Sequence, residues 1–129
     1  NNVYVSAVNQ GENPNQFIDQ LSTDRIRQIH LAGHQDRKKY LFDTHDHPVC
    51  DEVWELYKKA CQRFGRIPTM IERDDQIPPL RELIDELNYA RKTQNKVCTK
   101  ELKSESKSLW EKPKNGNKTQ RKRDTVSLF

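Results

Sequence analysis

Cysteine is scarce and irregular in this chain. Cys50, Cys61 and Cys98 form no C-x-x-C pair, and their odd number argues against a disulfide framework and for a reducing compartment. Long apolar runs are missing too. None approaches the ~20 residues a transmembrane helix needs, so no membrane span is expected and the cytoplasm is the expected location. The chain opens Asn1-Asn2-Val3-Tyr4, with neither an initiator Met nor the basic region of a signal peptide, and is read as a piece of something longer. Apolar residues make up only 33%, low for a globular domain, and charged residues also make up 33%. A length of 129 residues leaves room for one domain at most.

Charge is unevenly placed. Residues 92–129 hold eleven Lys/Arg against four Asp/Glu, whereas residues 1–91 hold twelve against fifteen. The net charge of +4 therefore comes from the tail, and the remainder is mildly acidic. Basicity of this kind is a poor argument for nucleic-acid binding. Lys112, Lys114, Lys118, Arg121, Lys122 and Arg123 could contact phosphates. Only Trp110 and Phe129 accompany them, however, so a stacking platform is unsupported and a nucleic-acid partner is not expected.

Residues 3–8 (VYVSAV) alternate, with β-branched and aromatic members, and predict a first strand. Asn13-Pro14 then reads as an N-cap and first helical position, followed by the stripe Phe17, Ile18, Leu21. Residues 26–32 (IRQIHLA) predict a second strand closed by Gly33, residues 35–39 (QDRKK) a polar turn, and residues 40–45 (YLFDTH) a third strand. Asp51 is a candidate cap for a helix carrying Val53, Tyr57, Ala60, Cys61 and Phe64 on one face, with Gly65 as its stop. Trp54 and Tyr57 on that helix read as core. Residues 67–72 (IPTMIE) predict a fourth strand, with Pro68 where a missing donor is tolerated. Pro78-Pro79 opens a helix with Leu80, Leu83, Ile84 and Leu87 on one face. The expected order β-α-β-β-α-β-α indicates parallel α/β architecture over residues 1–94. Residues 95–129 are expected to be a disordered or weakly helical basic tail, too polar to offset the entropy of ordering it.

All four histidines fall between His30 and His47. His30 lies at the end of one expected strand, Asp43 and His45 at the end of the next, Glu72 at the end of the last, and Asn2 at the edge of the first. Parallel α/β folds bind ligands outside the carboxyl ends of their strands, so these residues are expected to meet at one rim. Asp43 and His45, two apart, would point to the same side. Imidazole with carboxylate suits a borderline divalent metal, and the absence of thiolate argues against a structural zinc site. His34 and His47 are candidates for supporting or substrate-facing positions. Arg73, Asp74 and Asp75 read as loop charge or a salt bridge.

The blocks NNVYVSAVN, IHLAGH, DTHDHPV and PTMIERDDQIPP, in this order and with VWELYKKACQRFG before the last, resemble the C-terminal half of the family of the methanobactin-maturation protein MbnB and of TglH. The resemblance covers residues 1–92. It implies the last four or so βα units of a xylose-isomerase-like (β/α)₈ TIM barrel holding two or three iron ions. It also implies use of O₂ to remodel a cysteine in a ribosomally made peptide, with a partner protein that presents the peptide leader. Carried over residue by residue, it makes His30, Asp43, His45 and Glu72 iron ligands, with Asn2 at a matching position in the family's D-x-N-N run. The chain departs from the pattern at Asn9-Gln10-Gly11, where the family commonly reads Asn-His-Gly. A fragment of this kind is expected to be inactive alone, with a separate N-terminal half as one conceivable partner. Two other readings remain. One is a metal-dependent hydrolase or isomerase of related barrel type, using a metal-bound water. The other is a non-catalytic remnant. Thr44-His45-Asp46-His47 resembles part of a metallo-β-lactamase motif but lacks the His-x-His that should precede it.

Overall fold

The computed structural model describes residues 1–110. In chain order these form helices α1 (Asn2–Gln10) and α2 (Pro14–Gln20), a 3-10 turn (Thr23–Arg25), strands β1 (Ile29–Leu31), β2 (Gln35–Asp36) and β3 (Leu41–Phe42), helix α3 (Asp51–Phe64), strand β4 (Thr69–Ile71) and helix α4 (Leu80–Trp110).

The framework of the site is a parallel pair. β1 and β4 run side by side with His30 opposite Met70 and Leu31 opposite Ile71. The ladder extends one bond beyond each end, from Ile29 N to Pro68 O at 2.9 Å and from Glu72 N to Leu31 O at 2.8 Å. Parallel neighbours need a long crossover, and here it carries α3. The apolar stripe of α3 is buried as its spacing predicts, at Val53, Leu56, Tyr57, Ala60 and Cys61. Fully burying an aliphatic chain such as Val53, 1% exposed, contributes roughly 1.5–3 kcal/mol. Leu31 and Val49 complete this core from the sheet side, and Ala90 and Val97 from α4. Trp54 packs against its edge. Gly65 ends α3 with φ 73° and donates to Cys61 O at 3.0 Å. The helix begins one residue earlier than its expected cap: Cys50 is the N-cap, and Asp51 is already helical. Asn13 does cap α2, its side chain accepting from Asn15 N at 2.9 Å.

Four expectations need correction. Residues 3–8 are not a strand but most of α1. Short apolar segments fit either period, and tertiary packing decides between them. Gly11 was the overlooked sign: at φ 70° it ends the helix in a Schellman motif, with Gly11 N donating to Val8 O and Glu12 N to Ala7 O. The third strand shrinks to Leu41–Phe42 and is antiparallel to β2, which lies within the segment expected to be only a turn. Arg37 N donates to Tyr40 O to close this hairpin, with Lys38 at φ 65°. The expected row of successive parallel strands is therefore a parallel pair beside an antiparallel hairpin, a mixed α/β arrangement among the described residues. For residues 95–129, expected to be disordered or weakly helical, the helical reading holds as far as α4 runs, to Trp110; Val97 and Cys98 are buried, while Leu80 and Ile84 of the helix's expected apolar face stay exposed. The rest of the expected tail, residues 111–129, lies outside the described residues.

Candidate metal centre

The five expected ligands reach the site by three routes: the parallel pair, one loop and one helix. His30 is the middle residue of β1, and its Nδ1 lies 3.1 Å from Glu72 Oε2. Glu72 follows β4 directly, held by its backbone bond to Leu31, so the parallel register sets the pair side by side. Asp43 and His45 lie beyond β3 in a loop, not on a strand. His45 has φ 51°, a left-handed conformation that a continuing strand excludes. The two side chains nevertheless meet, with His45 Nε2 2.9 Å from Asp43 Oδ1. On its other side His45 Nδ1 lies 3.7 Å from Glu72 Oε1 and 3.2 Å from Asp74 Oδ2. Asn2, in the first turn of α1, donates through Nδ2 to Asp43 Oδ2, and Asn1 donates to Asp43 Oδ1. His30, Glu72, His45, Asp43 and Asn2 thus form one continuous chain of contacts, as expected, though loop geometry rather than strand alternation brings Asp43 and His45 into it.

Gly33 allows the approach. A Cβ there would sit 2.2 Å from His47 O and 2.3 Å from Pro48 O, both backbone atoms, so only glycine lets the loop after His45 lie against the end of β1. His34 turns aside, its Nδ1 3.0 Å from Asn1 Oδ1 and its ring 5.5 Å from that of Tyr4. Burial lowers its pKa, with the charge of Asp43 acting the other way. His47 contacts Asp46 rather than the cluster.

Two residues of the site were not anticipated. Asp74, read as loop charge, contributes one of three donors with His45 and Glu72 whose ligand atoms all lie within 4.8 Å of one another. Its position two residues after Glu72 was the available signal. Asp46, named only within the run of residues 44–47 and given no role there, is buried next to His45 in the same loop. Burial alone would raise its pKa, but hydrogen bonds from Thr44, His47 and Gln35 outweigh this and hold it well below the usual carboxylate range.

The residues fit a cation on three grounds. His45 Nε2 is buried and has no aligned hydrogen bond, although a carboxylate oxygen is 2.9 Å away. Asp43 on one side of the His45 ring, and Glu72 and Asp74 on the other, have no lysine or arginine paired to any of them among the described residues; Arg73, between two of them in sequence, turns inward to Glu86. Converging carboxylates without a counter-charge are costly, and a divalent ion relieves this. The donors are imidazole nitrogen and carboxylate oxygen, a set suited to iron, manganese or zinc.

Residues 1–95 match the model of the family described as RiPP precursor modification enzyme MbnB/TglH/ChrH. The chain belongs to this family. It is 54% identical over 91 residues to a UPF0276 protein of Caulobacter vibrioides, covering 70% of this chain and 32% of that protein. A UPF0276 protein of Anaeromyxobacter sp. is 53% identical over 90 residues, covering 70% and 32%. One from Pseudomonas aeruginosa is 42% identical over 105 residues, covering 81% and 37%. This MbnB/TglH/ChrH member therefore spans about a third of the length of the curated relatives it matches. No solved structure matches it. Among the described residues, no helix is long and apolar enough to cross a membrane.

Proposed function

We propose that this chain forms one wall of a multinuclear non-haem iron centre in a (β/α)₈-barrel oxidase that modifies cysteine in a ribosomally made peptide. The observation that carries the reading is the convergence of His45, Glu72 and Asp74, with Asp43 against the second nitrogen of His45. His45, Asp43, Glu72, Asp74 and His30 are the residues that would hold iron. A carboxylate can bridge two ions, and Glu72, set between His30 and His45, is the best placed to do so. Asn2 and Asn1 orient Asp43 through their amide nitrogens, which leaves Asn2 Oδ1 as a further candidate donor. Bound ferrous iron would supply a site for the substrate thiolate and electrons for O₂.

The family description supports a peptide precursor as the substrate class, and a leader-presenting partner protein belongs to the same proposal. The relatives are about three times as long as the matched segment. We place the remaining ligands and barrel strands in the part of them that this chain does not span. On this reading the chain alone binds iron weakly and turns over little or no peptide. A cytoplasmic setting, which keeps substrate thiols reduced, fits this chemistry.

Anaerobic ferrous titration of the chain, with bound iron quantified by equilibrium dialysis, tests the proposal. Wild type should retain iron that His45→Ala and Asp74→Ala lose. Equal retention by all three removes the site. Retention of zinc with no iron would favour the hydrolase reading instead.

A further inference from the structure

Asp46 is the one acidic residue buried among the described residues, and from its place in the loop that carries Asp43 and His45 it reaches the loop after Glu72. One carboxylate oxygen accepts from Thr44 Oγ1 and lies 2.6 Å from His47 Nδ1. The other accepts from Gln35 Nε2 on β2 and from Gln76 Nε2, at 3.3 Å, in the loop after Glu72. None of these four groups belongs to the candidate donor set. The backbone adds a second tie between the loops, from Asp74 N to His45 O at 2.9 Å. His45 and Gln76 both hold positive φ, at 51° and 47°, so neither loop rests in a conformation its residues would adopt unaided. A carboxylate can accept up to about four hydrogen bonds, and Asp46 uses this capacity to join three segments.

We propose that Asp46 is a positioning residue that locks the loop bearing Asp43 and His45 to the loop bearing Glu72 and Asp74, and so sets the spacing of the metal donors. The metal half of this inference rests on reading those residues as one donor set; the loop-locking half does not. Partners that orient ligands without touching metal typically contribute 10–100-fold in affinity, and that is the effect expected here.

Three variants test it: Asp46→Ala, Asp46→Asn and Gln76→Ala. In the metal-free chain, hydrogen exchange of the Asp74 amide reports the junction, because its acceptor is His45 O. Asp46→Ala and Gln76→Ala should speed that exchange about tenfold while the Tyr57 amide, inside α3, keeps its wild-type rate. Asp46→Asn, which keeps one acceptor oxygen, should fall between. Cobalt(II) titration followed by visible absorbance should show affinity lowered in the same order. Should Asp46→Ala fail to fold, Gln76→Ala, which removes only the link to the second loop, decides alone. Unchanged Asp74 exchange in a folded variant overturns the proposal, as does acceleration shared equally by Tyr57. Altered exchange with undiminished cobalt affinity overturns the metal half. If wild type binds no cobalt, the donor-set reading fails, and the exchange rates still decide whether Asp46 locks the loops.

Discussion

Replacing Glu86 with alanine should be among the most damaging single changes in this chain, although Glu86 stands on α4, away from the candidate ligands. Its two oxygens serve both ligand loops from beneath. Oε2 accepts from Arg73 at 3.0 Å, and Oε1 accepts from Val49 N, just past the 43–47 loop, at 2.8 Å. The side chains of Arg73 and Glu86 are only 6% and 17% exposed, so solvent does little to screen the pair. Arg73 Nε already lacks a partner, and Arg73 has no other ion pair among the described residues. Glu86→Ala would therefore leave a buried guanidinium uncompensated, which costs roughly 3–5 kcal/mol. The orphaned Val49 N–H adds to this, by about 1–3 kcal/mol where water cannot reach it. A chain of this size has on the order of 5–15 kcal/mol in total, so the loss would shift much of the population toward the unfolded state. The assay is urea denaturation followed by far-UV circular dichroism, with the double variant Arg73→Met/Glu86→Gln alongside. That double change removes both charges and keeps an acceptor for Val49. It should be clearly more stable than Glu86→Ala, because a buried pair exchanged for neutral groups is often close to neutral. A Glu86→Ala midpoint corresponding to less than about 0.5 kcal/mol of destabilisation, the level of an ordinary surface change, would refute the buried-pair argument.

Gly33→Ala should cost about 1–3 kcal/mol or more, because its Cβ meets the backbone of His47 and Pro48 rather than a flexible side chain; a thermal melt within a degree or two of wild type would contradict the close approach. Tyr57, pushed up to about 12 by burial, with Cys61 adding to the rise and its hydrogen bond with Thr69 opposing it, should ionise later than an ordinary tyrosine. Absorbance at 295 nm should show a late step that Tyr57→Phe removes. In this window the unfolded chain releases a proton that the folded chain keeps, so stability contributed by Tyr57 is present below pH 10 and is lost as pH rises toward 12.

Much of the framework was legible because its signals were redundant. The helix over residues 51–64 is set by an apolar stripe over almost four turns and by a glycine with positive φ immediately after it. Asn13-Pro14 has one natural role, and it fills it. The errors fall where only one weak signal was available. In residues 3–8 alternation suggested a strand, but five or six residues cannot separate a period of 2 from 3.6, and the neighbours in space decided. Beyond residue 95, low local hydrophobicity left disorder and weak helix both open, and the buried Val97 and Cys98 go with helix in that part of α4. Composition averages over a window, whereas packing needs only the residues on the contacting face.

The site was reached by an argument whose premise was partly wrong. The parallel pair does deliver His30 and Glu72, though from the middle of β1 and from just past the end of β4, because its register fixes β1 beside β4. Asp43 and His45 arrive through a left-handed turn, and no alternation rule connects them. Their convergence was still recoverable because the chemistry restricts it: a carboxylate and an imidazole in a loop that must return past Gly33 to start α3 have little surface to occupy except the mouth of the parallel pair. The same restriction explains what was missed. Asp74 resembles any solvated loop acid until the loop is closed by its own backbone bond to His45. Asp46 resembles one more acid in a polar run until three segments are folded around it. A ligand that would touch the metal declares itself through its chemical type. A residue that holds two loops together declares itself only through its partners, and those lie eleven and thirty positions away in sequence.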